Sequence, residues 1–238
     1  MNKLFILTVL LIMTLVSCDV MGEKVTGNGN VNIKTHAVES FSRLKIETVC
    51  KVEITQSDKE EVIIEADENL HDYIEIQQNG DQLRVRTREN VSFRSFEKLI
   101  IRIHVKAIND LNIASVGNVV CTNELVADDL NVKVSSVGNT ELKLNVGSTD
   151  CKFSTVGRLL IAGAADKAVV KNASVGGVNM EEFQAKVLRI NNSSVGGIQV
   201  YASDEIYVNH SGVGGLTYSG NPQVKEIKDS GIGKVKQR

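Results

Sequence analysis

The 238-residue sequence has no tryptophan, a single proline (Pro222) and only 4% aromatic residues. Stacking platforms for bases need rings, and tracking phosphates needs a basic surface. This chain has neither, since its formal net charge is −2 and charges of both signs are interspersed. Nucleic acid is therefore excluded as a partner, as is a polybasic membrane patch. Histidine is also scarce: His36, His71, His104 and His210 stand apart without zinc-ligand spacing. No glycine-rich phosphate loop precedes a helical pattern, so neither metal nor cofactor is expected. Apart from Cys18 the cysteines are Cys50, Cys121 and Cys151, an odd number that does not suit a disulfide framework. All three fall on apolar strand faces, where a free thiol behaves as a small hydrophobe.

An apolar run, LFILTVLLIMTLV at residues 4–16, follows Lys3. It is shorter than the roughly 20 residues of a spanning helix and reads as a secretory signal. The run ends in LVSC (Leu15 to Cys18), which resembles the bacterial lipobox. That resemblance implies cleavage before Cys18, lipidation of Cys18 and attachment to a membrane through acyl chains, each buried CH2 contributing about 0.8 kcal/mol. Residues 1–17 are thus expected to form a lipoprotein signal peptide. Residues 18–30, with the polar VTGNG stretch, form anchor and tether, and residues 31–238 form one folded domain. Removing residues 1–17 takes away one lysine and no acid, so the net charge of −2 becomes −3.

The folded part alternates. In RLKIETVCKVEITQ, Leu44, Ile46, Cys50, Val52 and Ile54 fall on one face and Lys45, Glu47, Lys51 and Glu53 on the other, the pattern of half-buried strands. EEVIIEA, YIEIQQNGDQLRVRTR and LIIRIHV repeat it, and Asn79-Gly80 places a hairpin turn between two such runs.

From about residue 109 the chain repeats itself. Aligned on one aliphatic residue, the copies are Val116, Val137, Val156, Val175, Val195, Val213 and Ile232, with steps of 18 to 21 residues and an invariant following glycine: Gly117, Gly138, Gly157, Gly176, Gly196, Gly214 and Gly233. Five residues earlier stand Leu111, Val132, Cys151, Val170, Ile190, Val208 and Ile227. Three residues later stand Val119, Thr140, Leu159, Val178, Ile198, Leu216 and Val235. A period near twenty with matched apolar positions signals a solenoid whose turns bury one another's faces. The two-residue alternation makes those turns strands. The expected fold is an all-β, single-chain β-solenoid (β-helix) with about 19–20 residues per turn, preceded by antiparallel strands or a hairpin that caps or begins it.

In this reading the valines stack into one internal column at a sharp corner, and each glycine supplies a positive φ there. The small residue before each valine (Ser115, Ser136, Thr155, Ser174, Ser194, Gly212 and Gly231) avoids crowding between turns. Asn112, Asn172, Asn192 and Asn209 are placed to stack as amide ladders.

The stretches GNGNV (Gly27 to Val31), FSRLKIETVCKVEITQ, EEVIIEADENLHDYIEI and NGDQLRVRT, followed by serine- and glycine-cornered turns, resemble the GIN-domain family, the head domain of auto-transporter adhesins. Its members are largely exported, often lipid-anchored proteins of Bacteroidetes-type bacteria. The resemblance covers about Phe41 to Gly233, with ADENL (Ala66 to Leu70) as its most specific local match. It implies a β-solenoid and an envelope location, and it carries over no catalytic residue.

Two functions fit these features. One is a non-enzymatic, lipid-anchored binding rod, adhesin-like, presenting a solenoid face to a glycan or protein partner. The other is a structural or regulatory envelope component without a ligand of its own. The membrane is reached through the N-terminal lipid, with the outer membrane preferred, and the oligomeric state is open. A third reading, a polysaccharide-active β-helix enzyme, needs clustered acids. Asp128-Asp129, Asp166 and Asp204-Glu205 line one edge only on alternate turns, about 10 Å apart, and Glu181-Glu182 has no counterpart in neighbouring turns. Tyr201, Tyr207 and Tyr218 are the only repeat-region tyrosines available to stack on a sugar.

Overall fold

The computed structural model describes residues 22–238, which form an all-β solenoid of about seven turns. Cys18 and the apolar N-terminal run lie outside the described residues. No helix among those described is long and apolar enough to cross a membrane.

The turns are built by parallel pairing. Strands β3 (Arg43–Glu47) and β4 (Lys51–Gln56) form one layer. β10 (Asp110–Ile113) and β11 (Val119–Cys121) form the next. β12 (Leu125–Val134) and the long strands β13 (Thr140–Phe153), β14 (Leu159–Asn172), β15 (Val178–Asn192) and β16 (Ile198–His210) continue the rod. It ends in β17 (Leu216–Ser219), β18 (Val224–Asp229) and β19 (Val235–Gln237). Register preserves the columns: Leu44 pairs with Leu111, Leu111 with Val132, Val132 with Cys151, Cys151 with Val170, Val170 with Ile190 and Ile190 with Val208. These residues are almost wholly buried. At about 25 cal/mol per Å2, the stacked aliphatic faces supply the main stabilisation, which no single turn can generate alone.

The other end is closed by a segment that adds one more parallel layer and then antiparallel strands. β5 (Glu61–Asp67), β6 (Ile74–Asn79), β7 (Gln82–Thr87) and β9 (Leu99–Val105) follow β4 in the chain. β7 and β9 pair parallel to β3 and β4, so the β3–β4 layer is enclosed between β7–β9 and β10–β11. β6 then lies antiparallel on β7, β5 antiparallel on β9, and β2 (Val31–Ala37) antiparallel on β5. A 3-10 turn over Glu68–Tyr73 buries Leu70 and His71 beneath this cap. β1 (Glu23–Val25) pairs with β8 (Val91–Phe93) beside it. The β6–β7 hairpin turns through Gly80-Asp81, one residue later than the sequence suggested. Asn79 pairs with Gln82, and Gly80 alone has a positive φ (57°), as a type II′ turn requires.

Candidate functional site

The repeat corners define the rod's outer surface, and here the structure corrects the sequence reading twice. The corner valines point outward: Val116, Val137, Val156, Val175, Val195 and Val213 are 54–58% exposed and Ile232 is 79% exposed. The residues before them, Ser115, Ser136, Thr155, Ser174 and Ser194, are the buried ones. The reason is parity. The inward positions lie an odd number of residues from the valine on both sides, so strand alternation turns the valine out. The seven side chains form an apolar ridge, and each backbone N–H continues the ladder, as in Val175 N–H to Thr155 O at 2.8 Å and Val195 N–H to Ser174 O at 2.9 Å.

The corner glycines are likewise not required by backbone conformation. Positive φ among glycines is confined to Gly29, Gly80, Gly163 and Gly220. At Gly138, Gly157, Gly176, Gly196 and Gly214 a Cβ would run into the carbonyl oxygens of the preceding corner's valine and glycine. Glycine is there because successive turns touch backbone to backbone.

Beside the ridge lies a groove of about 660 Å3, within the roughly 300–1,000 Å3 range of ligand sites. The column following the corner glycines reads Asn118, Asn139, Arg158, Gly177, Gly197 and Gly215. In the earlier turns the asparagines fold over the next backbone amide: Asn118 Oδ1 accepts from Asn139 N–H at 3.1 Å, and Asn139 Oδ1 from Arg158 N–H at 3.3 Å. The equivalent N–H groups of Gly177, Gly197 and Gly215 have no acceptor among the described residues. A Cβ on Gly177 would meet nothing within 4 Å, and one on Gly197 only Gly215 O at 3.6 Å. Neither conformation nor packing requires glycine at these two positions. Their effect is an open floor with amide donors repeated each turn. Asn179, Gln199 and Thr217 form the polar wall, and Arg158 with Leu160 closes one end.

The other candidates are set apart. Asp128 and Asp166 line a second groove of about 520 Å3. Between them intervenes Gly147, and Asp166 is paired with Lys186 at 2.7 Å, which holds its carboxyl below the usual range. Ser148 donates to Asp129. Among the described residues no group of three or more His, Cys, Asp or Glu is placed to hold a metal ion. Glu181-Glu182 falls where the β15–β16 register shifts, which explains its lack of counterparts. Tyr218 is buried, and Tyr207 is covered by the Arg189 guanidinium 3.8 Å from its ring centroid while donating to Glu205 at 2.8 Å. Tyr201 lines the second groove. Among the described residues no face carries a ladder of tyrosines. Cys50, Cys121 and Cys151 are free and buried, as their place on apolar faces demanded.

The family model described as "Putative auto-transporter adhesin, head GIN domain" matches residues 40–222. The chain belongs to this GIN-domain family. Solved structures share its fold. One described as a putative adhesin from Bacteroides fragilis has a TM-score of 0.85 at 24% identity, covering 90% of this chain and all of that one. Another putative adhesin, from Parabacteroides distasonis, has a TM-score of 0.70 at 20% identity over 91% of this chain and all of its own. A protein from the same species described as a putative lipid binding protein has a TM-score of 0.72 at 20% identity, again over 91% of this chain and all of its own. No curated protein matches the GIN domain described here. At these identities the structural likeness establishes the fold alone.

Proposed function

We propose that this GIN domain is the binding head of an exported, lipid-anchored envelope protein. It acts without catalysis by holding an extended glycan in the groove beside the valine ridge. The observation that carries this reading is the run of uncapped amides at Gly177, Gly197 and Gly215. Such a run offers donors at about 4.8 Å intervals, suited to a chain that presents oxygen acceptors repeatedly. The apolar ridge offers a surface for sugar C–H faces, and Asn179, Gln199 and Thr217 pair with hydroxyls. The family and its adhesin-named neighbours support a surface or envelope binder. The dispersed, partly ion-paired acids favour binding over hydrolysis. Anchoring is assigned to Cys18 from the LVSC stretch.

The test restores the caps that the earlier turns carry. An added Cβ has room at both Gly177 and Gly197, so Gly177→Asn and Gly197→Asn together are expected to cover the next turn's amide as Asn118 and Asn139 do. The double variant is expected to fold with an unchanged circular-dichroism spectrum and to lose the neutral-glycan binding seen for wild type on an immobilised oligosaccharide array. Equal binding by both proteins, or none by wild type, removes the groove from consideration. Palmitate labelling of cells carrying wild type or Cys18→Ala tests the anchor separately; label retained by the variant refutes it.

A further inference from the structure

On the opposite side of the valine ridge the register assembles a column that the corner motif does not predict. Reading one outward position through successive layers gives Arg84, Lys45, Asn112, Lys133, Lys152, Lys171, Asn191, Asn209 and Lys228. Nine layers contribute only basic or amide side chains and no acid. At the capped end Arg84 and Lys45 are both held by Glu47. Further along, Lys133, Lys152 and Lys171 sit in direct register about 4.8 Å apart. Their one ion pair among the described residues is Lys152 with Asp150 at 3.9 Å, between exposed partners. Like charges facing each other across strands destabilise a sheet, and the spacing is inside the roughly 8–10 Å screening length. The fold gains nothing from this row.

The row also borders a groove. Two residues further along each turn the outward column is Ala114, Ser135, Ser154, Ala173, Ser193 and Ser211, side chains too short to fill the space before the ridge. A trough of about 430 Å3 results, lined by the lysines, by Asn191 and Asn209, and by the part of this floor that runs from Ser135 to Ser211.

We infer that this trough binds an acidic polysaccharide, a linear chain carrying a carboxylate or sulfate on successive sugars. One ammonium group per turn is a row of point charges with a repeat close to the length of one pyranose ring in an extended chain. The asparagines and serines add donors and acceptors for hydroxyls. A flat anionic membrane fits less well, because the basic row is a single file beside a recessed floor. The adjacent outward column mixes Asp110, Asp150 and Glu226 with Arg43 and Arg189, so the uniformly basic row is one file wide and does not broaden into a basic face. This inference does not depend on the glycine-floored groove.

The probe is a size series of oligogalacturonates, measured by titration calorimetry in calcium-free buffer against uncharged dextran. Wild type is expected to bind the acidic series more tightly with increasing length, and any heat given by dextran is expected to be unchanged when the lysines of the row are replaced. Lys133→Gln/Lys152→Gln/Lys171→Gln is expected to weaken binding at least tenfold while melting at or above the wild-type temperature in low salt. Each ion contact contributes roughly 0.7–0.9 to the slope of log K against log salt on a polyanion, so the triple variant lowers that slope by about 2. Lys24→Gln/Lys59→Gln/Lys106→Gln removes the same charge elsewhere and is expected to bind as wild type does, as is the Gly177→Asn/Gly197→Asn variant. Absence of binding, or equal loss in both lysine triples, overturns the inference. Tighter binding to phosphatidylglycerol vesicles or single-stranded DNA, competing with the oligogalacturonate, also overturns it, in favour of a membrane or nucleic-acid face.

Discussion

Inside the rod, Asn172 Nδ2 donates to Asn192 Oδ1 at 2.8 Å, and Asn192 Nδ2 in turn reaches His210 Nδ1 at 3.0 Å. The direction of these bonds fixes the imidazole: Nδ1 accepts, so Nε2 carries the proton and donates to Gly233 O at 3.0 Å. The same inward column is apolar earlier, at Ile113, Val134 and Phe153. Towards the C-terminal end it becomes a bonded polar chain. The ring helps explain why the buried serine gives way to glycine at 231, where a Cβ would fall 2.5 Å from His210 Nε2, whereas at 212 a Cβ would first meet Ser194 O, at 2.5 Å.

Asn192 is the centre of that chain, since Ser194 Oγ also donates to its Oδ1 at 2.8 Å. Asn192→Ala leaves the Asn172 amide and the His210 ring short of partners in a buried site, while the Ser194 hydroxyl keeps Gly196 O at 2.7 Å as its acceptor. At about 1–3 kcal/mol per unsatisfied group, with partial relaxation, a loss of roughly 2–4 kcal/mol is expected in urea unfolding. Asn191→Ala, one residue away and exposed, is expected to stay within about 0.5 kcal/mol of wild type.

Much of this was legible in the sequence, for reasons that also mark where legibility stopped. The period of about twenty and the columns through Leu111 and Val119 are local alternation repeated, so they could be read directly. Valine direction was equally available from parity but was masked by the assumption that an invariant aliphatic residue is buried. The placement of β3–β4 between β7–β9 and β10–β11 was not readable, because it pairs segments separated by the whole cap. Thr48-Val49 is a corner copy of the same kind, with Val116 N–H bonding Thr48 O at 2.9 Å. It escapes the period because the cap is inserted after it. The lysine and asparagine column emerges only when outward positions are aligned by register.

The inverted corner gives a direct contrast. Val175→Asp places a charge on an exposed ridge and is expected to change stability by no more than about 0.5 kcal/mol. Ser174→Leu forces a large side chain into a filled column and is expected to cost about 1–3 kcal/mol or more. Denaturant midpoints of the two variants decide it; the opposite order would put the valine back inside.

Glycines at neighbouring positions separate in the same way. Gly157→Ala drives a Cβ against Gly138 O and Val137 O, and about 1–3 kcal/mol of destabilisation is expected from overpacking. Gly177→Ala meets no atom and needs no positive φ, so it is expected to be neutral or to stabilise by about 0.4–1 kcal/mol through the unfolded chain. Thermal melts of both distinguish turn contact from groove openness.

The three thiols set an alkaline limit. Burial pushes Cys50 and Cys151 up to about 12 and Cys121 up to about 11, whereas unfolded cysteines ionise near 8.5. Folded values lie above unfolded ones, so this contribution is full below about pH 8.5 and is lost as pH rises towards 11–12. Stability measured at a series of pH values is expected to fall above pH 9, and less steeply in a variant with all three cysteines replaced by alanine. At pH 8 native thiols are expected to resist a disulfide reagent that labels the denatured chain at once.

Asp67 in the ADENL stretch sets the acid limit by the opposite route. Its side chain is buried under the cap, and burial alone would raise its pKa. Backbone N–H groups of Lys98 at 3.0 Å, Gly29 at 2.9 Å and Glu97 at 3.1 Å donate to the carboxylate and prevail, holding it below the ordinary aspartate range. The carboxylate thereby ties the segment before β2 and the segment before β9 to the end of β5. A folded value depressed below the unfolded one gives stability that is present above about pH 4 and is lost as pH falls through the folded value. Asp67→Asn keeps one acceptor oxygen but sets an NH2 group against N–H donors. It is expected to lower the melting temperature at pH 7 and to lose protection of the Gly29, Glu97 and Lys98 amides in hydrogen exchange. As pH drops below 4, the wild-type carboxylate becomes protonated and the two melting curves are expected to converge. A gap that stays constant from pH 7 to pH 2 would show that Asp67 acts by shape and not by charge.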